Sequence, residues 1–435
     1  MSKLLNYWFP MWDFLYILQL EEYELQRYWW QVRLRLFKRG FQKRDTLKYT
    51  GRIKVTIAVL LALLGSVLLQ LIQMQFYVYA ALIVATIPLT TPYLIGIVSS
   101  AVGVVVTVQK KRQLQAAKTI FTNNYPDTIV IGVTGSFGKT TAKYMLEHVL
   151  QYDYEVAIIP DNINTGIGVA NHLLANKVPR NTELLIVEMG AYHRGDIAQT
   201  ATVAVPDLAI ITILGDQHLE RFGSHADLVK AKCEIFTTNP QTKCYITTDS
   251  LALITSQNIA TDQLQAVSLP ANDKSTAHLV RQLALDLGVS AESIDASIAS
   301  FTPPDRRNNI IQRQGVTIID NSYNISPMVA EAMLTEATTT AQQQNKKLVV
   351  MTGGIGEQGE IGPAANKQLG EVISKYAARA ILHPSIYIQD VAAGLSIGFT
   401  YTSMGLDVSE QPADWLDGET ELLLWLTDHS DTAYF

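Results

Sequence analysis

The feature that most restricts the fold of this chain is a run of 55 residues, Val55 to Gln109, that contains no charged side chain. As a helix the run would be about 82 Å long at 1.5 Å per residue, against about 30 Å for the hydrocarbon core of a bilayer. One crossing cannot use that length, whereas two can, and the polar break Gln73-Met74-Gln75 suits a turn. The run therefore predicts a transmembrane helical hairpin with spans Val55–Gln73 and about Tyr77–Thr107.

Two other interpretations of the run have less support. A buried core helix would explain it, but soluble cores rarely contain an uncharged run of this length. A cleaved signal peptide is excluded because the run begins too far from the N-terminus. Pro88 and Pro92 predict a kink in the second span.

Basic residues flank the run on both sides, with nine Lys and Arg between residues 33 and 54 and three at 110–112. Because positive flanks face the cytoplasm, the number of crossings is predicted to be even and both chain ends cytoplasmic. The predicted location is thus the cell membrane, as a multi-pass protein. Four of the six tryptophans lie in residues 1–36. That segment predicts one or two helices in the headgroup layer or, alternatively, a helix packed on the hairpin.

The remaining chain is acidic. Residues 1–112 hold 14 Lys and Arg against 5 Asp and Glu, and residues 113–435 hold 20 against 35. An acidic body argues against nucleic acid as a partner. The two cysteines, Cys233 and Cys244, form no CxxC pair, which argues against a zinc site and a disulfide framework.

A phosphate-binding loop follows the apolar run Thr128–Val133, which predicts a buried parallel strand. The loop reads Thr134-Gly135-Ser136-Phe137-Gly138-Lys139-Thr140-Thr141 and precedes a helical stretch. Glycines let backbone N–H groups approach phosphate, and the helix N-terminus adds the positive end of its dipole. Lys139 is predicted to reach the β- and γ-phosphates, and the Thr140 or Thr141 hydroxyl to bind Mg²⁺. Val133 stands where the strict pattern requires glycine, so a chance glycine turn is the alternative.

Six segments in order resemble the Mur ligases, and in particular the branch that adds D-alanyl-D-alanine. They span about 200 residues, so together they are far more specific than the loop alone. The segments are the loop TGSFGKTT itself, Asn162–Gly168, Glu188–Ala191 with Gly195-Asp196-Ile197, Gly215–Ser224, Lys230–Phe236 and Asp320–Pro327.

The resemblance implies roles for residues outside the loop. Glu188 and His218 would hold a second Mg²⁺ between the γ-phosphate and a carboxylate, and Lys232 would be carbamylated and help to hold that metal. Arg306 rather than Arg307 would enter the ATP site when the domains close. The alternative, that both arginines are solvated charges on a linker, explains the pair almost as well. Asn324 would contact adenine, and Asp320 would lie near the ribose.

The sequence thus predicts an α/β protein preceded by a transmembrane hairpin. Its predicted parts are a membrane-surface segment (1–53), the hairpin (54–109), a central P-loop domain with a mostly parallel sheet (110–302) and a C-terminal Rossmann-like domain (303–435). Family members carry an N-terminal domain that grips the UDP end of the substrate, and here the hairpin takes that place. A C-terminal lysine-glycine-serine stretch of the family is also replaced, which puts the acceptor in doubt more than the ATP chemistry.

The predicted function is an ATP- and Mg²⁺-dependent, ADP-forming ligase. It would add an amine, such as D-alanyl-D-alanine, to a carboxylate of a peptidoglycan precursor through an acyl phosphate. One alternative is a ligase acting on another carboxylate, including a lipid-linked one. Folylpolyglutamate-type ligases share the loop but resemble the other segments less. The alternative from another class is a non-catalytic, ATP-binding membrane scaffold, against which the intact set Lys139, Glu188, His218 and Lys232 argues.

Overall fold

The computed structural model divides the chain into two compact units, one up to Arg112 and one from Gln113 to Thr432. Each unit is described by itself. The residues described are 11–20, 23–36, 47–160, 163–215, 219–269, 276–303, 309–313, 315–321, 325, 327–356, 361–402, 416–417 and 420–426.

The first unit is helical. The turn of the predicted hairpin lies where the polar break places it, because Met74 caps the first long helix and Gln75 takes a positive φ of 61°. The second long helix continues through both prolines, and the predicted kink stays a prediction. The helices are α1 (Met11–Leu20), α2 (Leu25–Leu36), α3 (Gly51–Gln73) and α4 (Tyr77–Asn124).

The aromatic N-terminal segment packs on the hairpin, as one of the two alternatives for it predicts. The Tyr28 hydroxyl is buried and donates to the carbonyl of Pro92 at 2.7 Å. The indole of Trp29 lies so close to Gly96 that a Cβ there would be 2.3 Å from the ring. One apolar cluster joins all four helices through Met11, Leu15, Ile17, Leu18, Tyr28, Val32, Ile53, Leu60, Ile95, Val98 and Val102.

Most of α3 faces outward. Only 11% of its most apolar 18-residue stretch is buried within the protein. Large side chains such as Leu61, Leu63 and Leu69 are exposed. The helices Gly51–Gln73 and Leu89–Asn124 are long and apolar enough to cross a membrane by length and composition. The helical hairpin is thus confirmed as secondary structure, while a membrane crossing rests on these two properties alone.

The second unit contains two six-stranded sheets. The first sheet is entirely parallel and has the order β2-β3-β1-β4-β5-β6. Its strands are short and rich in β-branched residues, which suits strands covered on both faces. They are β1 (Ile129–Thr134), β2 (Val156–Ile158), β3 (Leu184–Glu188), β4 (Leu208–Ile211), β5 (Lys243–Thr247) and β6 (Leu264–Val267).

Helices cover both faces of this sheet, and a separate apolar cluster fills each side. The helix α5 follows the glycine loop, as predicted. The helices are α5 (Lys139–Leu150), α6 (Gly166–Leu174), α7 (Asp196–Val203), α8 (Leu219–Phe222), α9 (His225–Thr237), α10 (Thr248–Thr255), α11 (Ala277–Asp286) and α12 (Ala291–Ser300).

The second sheet has the order β11-β10-β9-β12-β8-β7, and only its edge strand β7 is antiparallel. Its helices are α13 (Pro327–Gln343), α14 (Gly362–Tyr376) and α15 (Ile388–Gly394). Its strands are β7 (Asn309–Arg313), β8 (Val316–Asn321), β9 (Lys347–Thr352), β10 (Arg379–Leu382), β11 (Phe399–Tyr401) and β12 (Glu421–Leu426).

The predicted fold class, a mostly parallel P-loop sheet followed by a Rossmann-like α/β part, is confirmed. Strand β4 ends at Ile211, and the next residues, Thr212 and Ile213, contact the glycine loop. The first sheet lies within residues 110–302 and the second within 303–435. The domain bounds themselves stay predictions.

Candidate active site

The glycine loop between β1 and α5 is fixed to the end of the neighbouring strand β4. The amides of Ser136 and Phe137 both donate to the carbonyl of Ile213, at 2.8 and 3.4 Å. The Ser136 hydroxyl donates to the Gly215 carbonyl at 2.7 Å and accepts from the Gly215 amide at 3.0 Å. These contacts hold the loop in shape and occupy two of its backbone donors.

The two glycines of the loop occupy positions that a side chain would not tolerate. Gly135 has a φ of 140°, and a Cβ there would lie 2.0 Å from the Thr212 hydroxyl oxygen. Gly138 has a φ of 78° and caps α5 in the left-handed region. Because glycine adopts such conformations without a steric cost, the loop can turn directly from β1 into the helix.

The first turn of α5 supplies the donors for an anion. The first N–H groups of a helix have no acceptor within the helix and lie at the positive end of its dipole. The Lys139 ammonium donates to the carbonyls of Gly135 and Ser136, both at 3.0 Å, and so lies over the loop. This arrangement suits a bound phosphate chain.

Glu188 contacts the first turn of the same helix. It ends β3, which runs parallel to β1 with Glu188 in register with Val133. Its Oε2 accepts a hydrogen bond of 2.7 Å from the Thr140 hydroxyl, and both residues are buried. A carboxylate and a hydroxyl are hard oxygen donors, which is the ligand chemistry that Mg²⁺ prefers. Within the described ranges, no group of three or more His, Cys, Asp and Glu could hold a metal ion.

Lys232 lies on α9 and is only 2% exposed. Burial, and secondly the nearby charge of Lys139, hold the pKa of its amine well below the ordinary value. The carboxylates of Glu188, Asp196 and Glu234 act in the opposite direction but do not cancel this effect. The site therefore favours an uncharged amine at this position.

The loop after β3 and the helix α9 are joined by Glu234. Its carboxylate accepts from the amides of Gly195, at 2.7 Å, and Ala198, at 3.1 Å, at the start of α7. Burial raises the pKa of Glu234 in spite of these two bonds. Asp196 accepts from the amides of Tyr192 and His193 and thereby shapes the same loop.

The structure brings seven of the predicted site residues to one edge of the first sheet, which are Gly135, Ser136, Gly138, Lys139, Thr140, Glu188 and Lys232. Thr141 follows on α5 and is half-buried. Asp320 lies near the carboxyl end of β8 in the second sheet, where it is 9% exposed. His218, Arg306 and Asn324 lie outside the described residues. The roles assigned to all of these residues stay predictions.

Two residues of this region are absent from the sequence-based predictions. The Thr212 hydroxyl donates to the carbonyls of Thr134 and Phe137 and so helps to fix the conformation of the loop. Lys143 is fully buried, with its ammonium 4.0 Å from Glu188. Lys143 follows Thr140 by three residues on α5, so the two side chains lie on one helix face. This spacing is the sequence signal that could have identified Lys143 as part of the site.

Known families and proteins resemble this chain over the same region. Residues 133–314 match the Mur ligase middle domain. A UDP-N-acetylmuramoyl-tripeptide–D-alanyl-D-alanine ligase from Bacillus subtilis is 29% identical over 280 residues, which is 57% of this chain and 60% of the relative. This chain therefore spans about 60% of the length of that relative.

Solved structures show the same fold. MurF from Acinetobacter baumannii superimposes with a TM-score of 0.63 at 22% identity, covering 75% of this chain and 79% of that one. MurF ligase from Thermotoga maritima, in complex with ADP, gives a TM-score of 0.63 at 20% identity, covering 75% and 82%.

These comparisons correct the predicted location. The MurF-type relatives are soluble cytoplasmic enzymes, so the prediction of a multi-pass cell-membrane protein is wrong. The two long apolar helices are weak evidence for such a location, because the core helix of a soluble protein can pass the same test of length and composition. Length and composition show how apolar a helix is, but not whether protein or lipid surrounds it.

The middle-domain match, these relatives and the fold agree with one another. Residues 133–314 thus carry a Mur ligase middle domain, and the chain is similar to the MurF-type Mur ligases in sequence and in fold.

Proposed function

We propose that this chain is an ATP-dependent, ADP-forming ligase that joins an amine, such as D-alanyl-D-alanine, to a carboxylate of a peptidoglycan precursor. The observation that carries the proposal is one edge of a parallel sheet on which a phosphate loop, the Thr140–Glu188 pair and the buried Lys232 meet. The relatives, which are UDP-N-acetylmuramoyl-tripeptide–D-alanyl-D-alanine ligases, support the same substrate class.

The reaction needs an activated acyl group, because an amine does not displace the oxygen of a carboxylate. In the proposed reaction, an oxygen of the acceptor carboxylate takes the γ-phosphoryl group of ATP, and ADP leaves. The amine nitrogen of the second substrate then attacks the acyl carbon. Phosphate leaves, the nitrogen loses a proton, and an amide bond results.

The residues of the loop would hold the triphosphate and neutralise its charge. The first amides of α5 would donate to the phosphates, and Lys139 would exchange its loop carbonyls for phosphate oxygens. Donors that are already fixed in place stabilise developing charge without a cost of reorganisation. The anchoring of Ser136 and Phe137 on Ile213 keeps the loop in this shape.

Magnesium fits the donor set of this site. Thr140 and Glu188 would hold the ions, together with His218 as the resemblance implies. A bound Mg²⁺ would neutralise charge on the phosphates and on the acceptor carboxylate.

Lys232 is proposed to be carbamylated. Its pKa is lowered chiefly by burial, which raises the fraction of uncharged amine that can attack carbon dioxide with loss of one proton. The resulting carbamate would be an anionic oxygen ligand beside Glu188. A carbamate signal in ¹³C NMR after addition of labelled bicarbonate would test this, and its persistence in Lys232→Arg would contradict the assignment.

The other assigned residues are proposed from the resemblance. Arg306 would enter the ATP site on domain closure, Asn324 would contact adenine, and Asp320 would lie near the ribose. Domain closure of this kind excludes water and completes a site.

The experiment that tests the proposal measures ADP release by the purified full chain. ATP and Mg²⁺ are supplied with each of three acceptors: a UDP-linked tripeptide, a lipid-linked one and a folate. D-Alanyl-D-alanine or an amino acid is the amine. We expect ADP release with the UDP-linked acceptor and the dipeptide. Preference for the lipid-linked acceptor would favour the alternative carboxylate, whereas nucleotide binding without ADP release in every combination would favour the scaffold.

A further inference from the structure

Lys143 is a buried cation to which the proposed reaction gives no role. It lies on α5 one turn after the phosphate loop, and its exposed fraction is 0%. An ammonium group that leaves water needs partners of opposite charge or polarity, because its lost hydration is otherwise uncompensated. The partners of Lys143 therefore indicate what the residue does.

The ammonium joins three elements of the sheet edge. It donates to the carbonyl of Ile159, just after β2, at 3.1 Å. It lies 4.0 Å from Oε2 of Glu188 at the end of β3. Since its own backbone belongs to α5, Lys143 ties the phosphate-loop helix to the carboxyl ends of two strands.

The Thr140 hydroxyl and the Lys143 ammonium both lie near the same oxygen of Glu188. The Thr140 hydroxyl donates to Oε2 at 2.7 Å, and the Lys143 ammonium approaches that oxygen from the next turn of α5. One hydrogen bond and one neighbouring positive charge, both from a rigid helix, restrain this carboxylate oxygen, so the carboxylate cannot rotate freely.

We propose that Lys143 is a positioning residue that holds Glu188 in the orientation in which its carboxylate binds the divalent cation. This inference rests on the proposed function, and it concerns how the metal ligand is set rather than the reaction itself. Lys143 touches neither nucleotide nor substrate in this assignment. It acts through Glu188.

The main test is a double-mutant cycle, because a residue that acts through Glu188 has no effect once Glu188 no longer binds the cation. We expect Lys143→Met to lower the rate of ADP formation about 10- to 100-fold, within the range known for groups that stabilise charge. In the Glu188→Gln background the same substitution should change the remaining rate less than about twofold. If the two effects multiply instead, Lys143 supports the fold in general and the proposal is overturned.

A second measurement does not depend on turnover. Mn²⁺ replaces Mg²⁺, and the binding of Mn²⁺ to the protein with a non-hydrolysable ATP analogue is followed by the loss of the free-ion EPR signal. We expect Lys143→Met to weaken one bound Mn²⁺ about 10-fold or more, while the affinity for the analogue in EDTA changes less than about threefold. Unchanged Mn²⁺ binding in this variant would overturn the proposal.

The two measurements separate this inference from the proposed function. If no acceptor supports ADP release but Mn²⁺ binding depends on Lys143, the proposed function fails and the positioning role stands. Lys143→Gln provides a second variant if the methionine protein does not fold, because it removes the charge and keeps an N–H donor, on a side chain one atom shorter. It should show the same loss of Mn²⁺ affinity, and wild-type affinity in Lys143→Gln would contradict the role of the charge.

Arg379→Met is the matched control. It too removes the cation of an ion pair, although this pair is only partly buried and lies in the second sheet. Arg379 contacts Glu421 there at 2.8 and 2.9 Å. We expect normal Mn²⁺ affinity and a normal rate per folded molecule. A loss equal to that of Lys143→Met would show that any broken ion pair disturbs the site, which would overturn the specific role.

Discussion

The hydroxyl of Thr140 donates a hydrogen bond of 2.7 Å to Oε2 of Glu188. One residue belongs to the first turn after the phosphate loop and the other to the end of the adjacent strand, 48 residues further along the chain. The bond exists because β3 lies directly beside β1 in the sheet. It joins the helix that follows the glycine loop to a buried carboxylate, and it is the geometric basis of the predictions that follow.

Lys139→Ala is expected to abolish ADP formation. The Lys139 ammonium lies over the loop carbonyls, and this lysine is the basic side chain that the loop offers to the β- and γ-phosphates. The measurement is ADP release with saturating acceptor and amine. A rate within a few-fold of wild type would show that the loop does not bind the nucleotide as proposed.

Glu188→Ala and His218→Ala are each expected to lower the ligase rate about 100- to 1000-fold, since each removes one group that stabilises charge. Nucleotide affinity should largely survive, because the loop and the start of α5 are unchanged. Steady-state rates and equilibrium binding of a fluorescent ATP analogue separate the two effects. An equal loss of nucleotide affinity would instead assign these residues a structural role.

Gly135→Ala is expected to lower nucleotide affinity about tenfold or more and to reduce thermal stability, because the added Cβ would overlap the Thr212 hydroxyl oxygen at a φ of 140°. Gly398→Ala is the matched control, since its Cβ would meet nothing within 4 Å. Binding and melting temperature are measured for both proteins. Equal behaviour of the two variants would argue against a steric requirement in the loop.

The ion pair of Arg379 and Glu421 is expected to stabilise the second sheet above the ordinary range of carboxyl pKa values and to lose its effect in acid. The hydrogen bonds from Arg379 are the main reason that the pKa of Glu421 is lowered. A carboxylate with a lowered pKa in the folded state contributes stability that is present above its unfolded pKa. This stability is lost as the pH falls through the folded value.

Arg379→Met should therefore lower the free energy of opening of β10 and β12 by about 1–2 kcal/mol near neutral pH, and by progressively less as the pH falls below the unfolded pKa of the carboxyl. Hydrogen exchange of the two strands, compared with wild type at the same pH, measures the difference. A difference that grows toward acid would contradict the sign of this linkage.

Several features of the molecule follow from local sequence alone. The strand, glycine loop and helix from Ile129 to Leu150 are predictable, because β-branched runs, glycine turns and helical periodicity are properties of neighbouring residues. The hairpin turn at Met74 is predictable for the same reason. The local loop pattern also identified Lys139 as a site candidate, whereas Glu188 and Lys232 became candidates through the family resemblance.

Other features were decided only by tertiary structure. The sequence did not reveal that Lys143 faces Glu188, since this depends on β3 inserting between β1 and β2 in the sheet. The sequence also left open whether the aromatic N-terminal segment packs on the hairpin. It does, because the buried Tyr28 hydroxyl donates to the carbonyl of Pro92. In each case the deciding quantity is the distance between segments far apart in the chain. Residue type and periodicity describe each segment separately, and only the order in which the chain stacks its strands and helices brings those segments into contact.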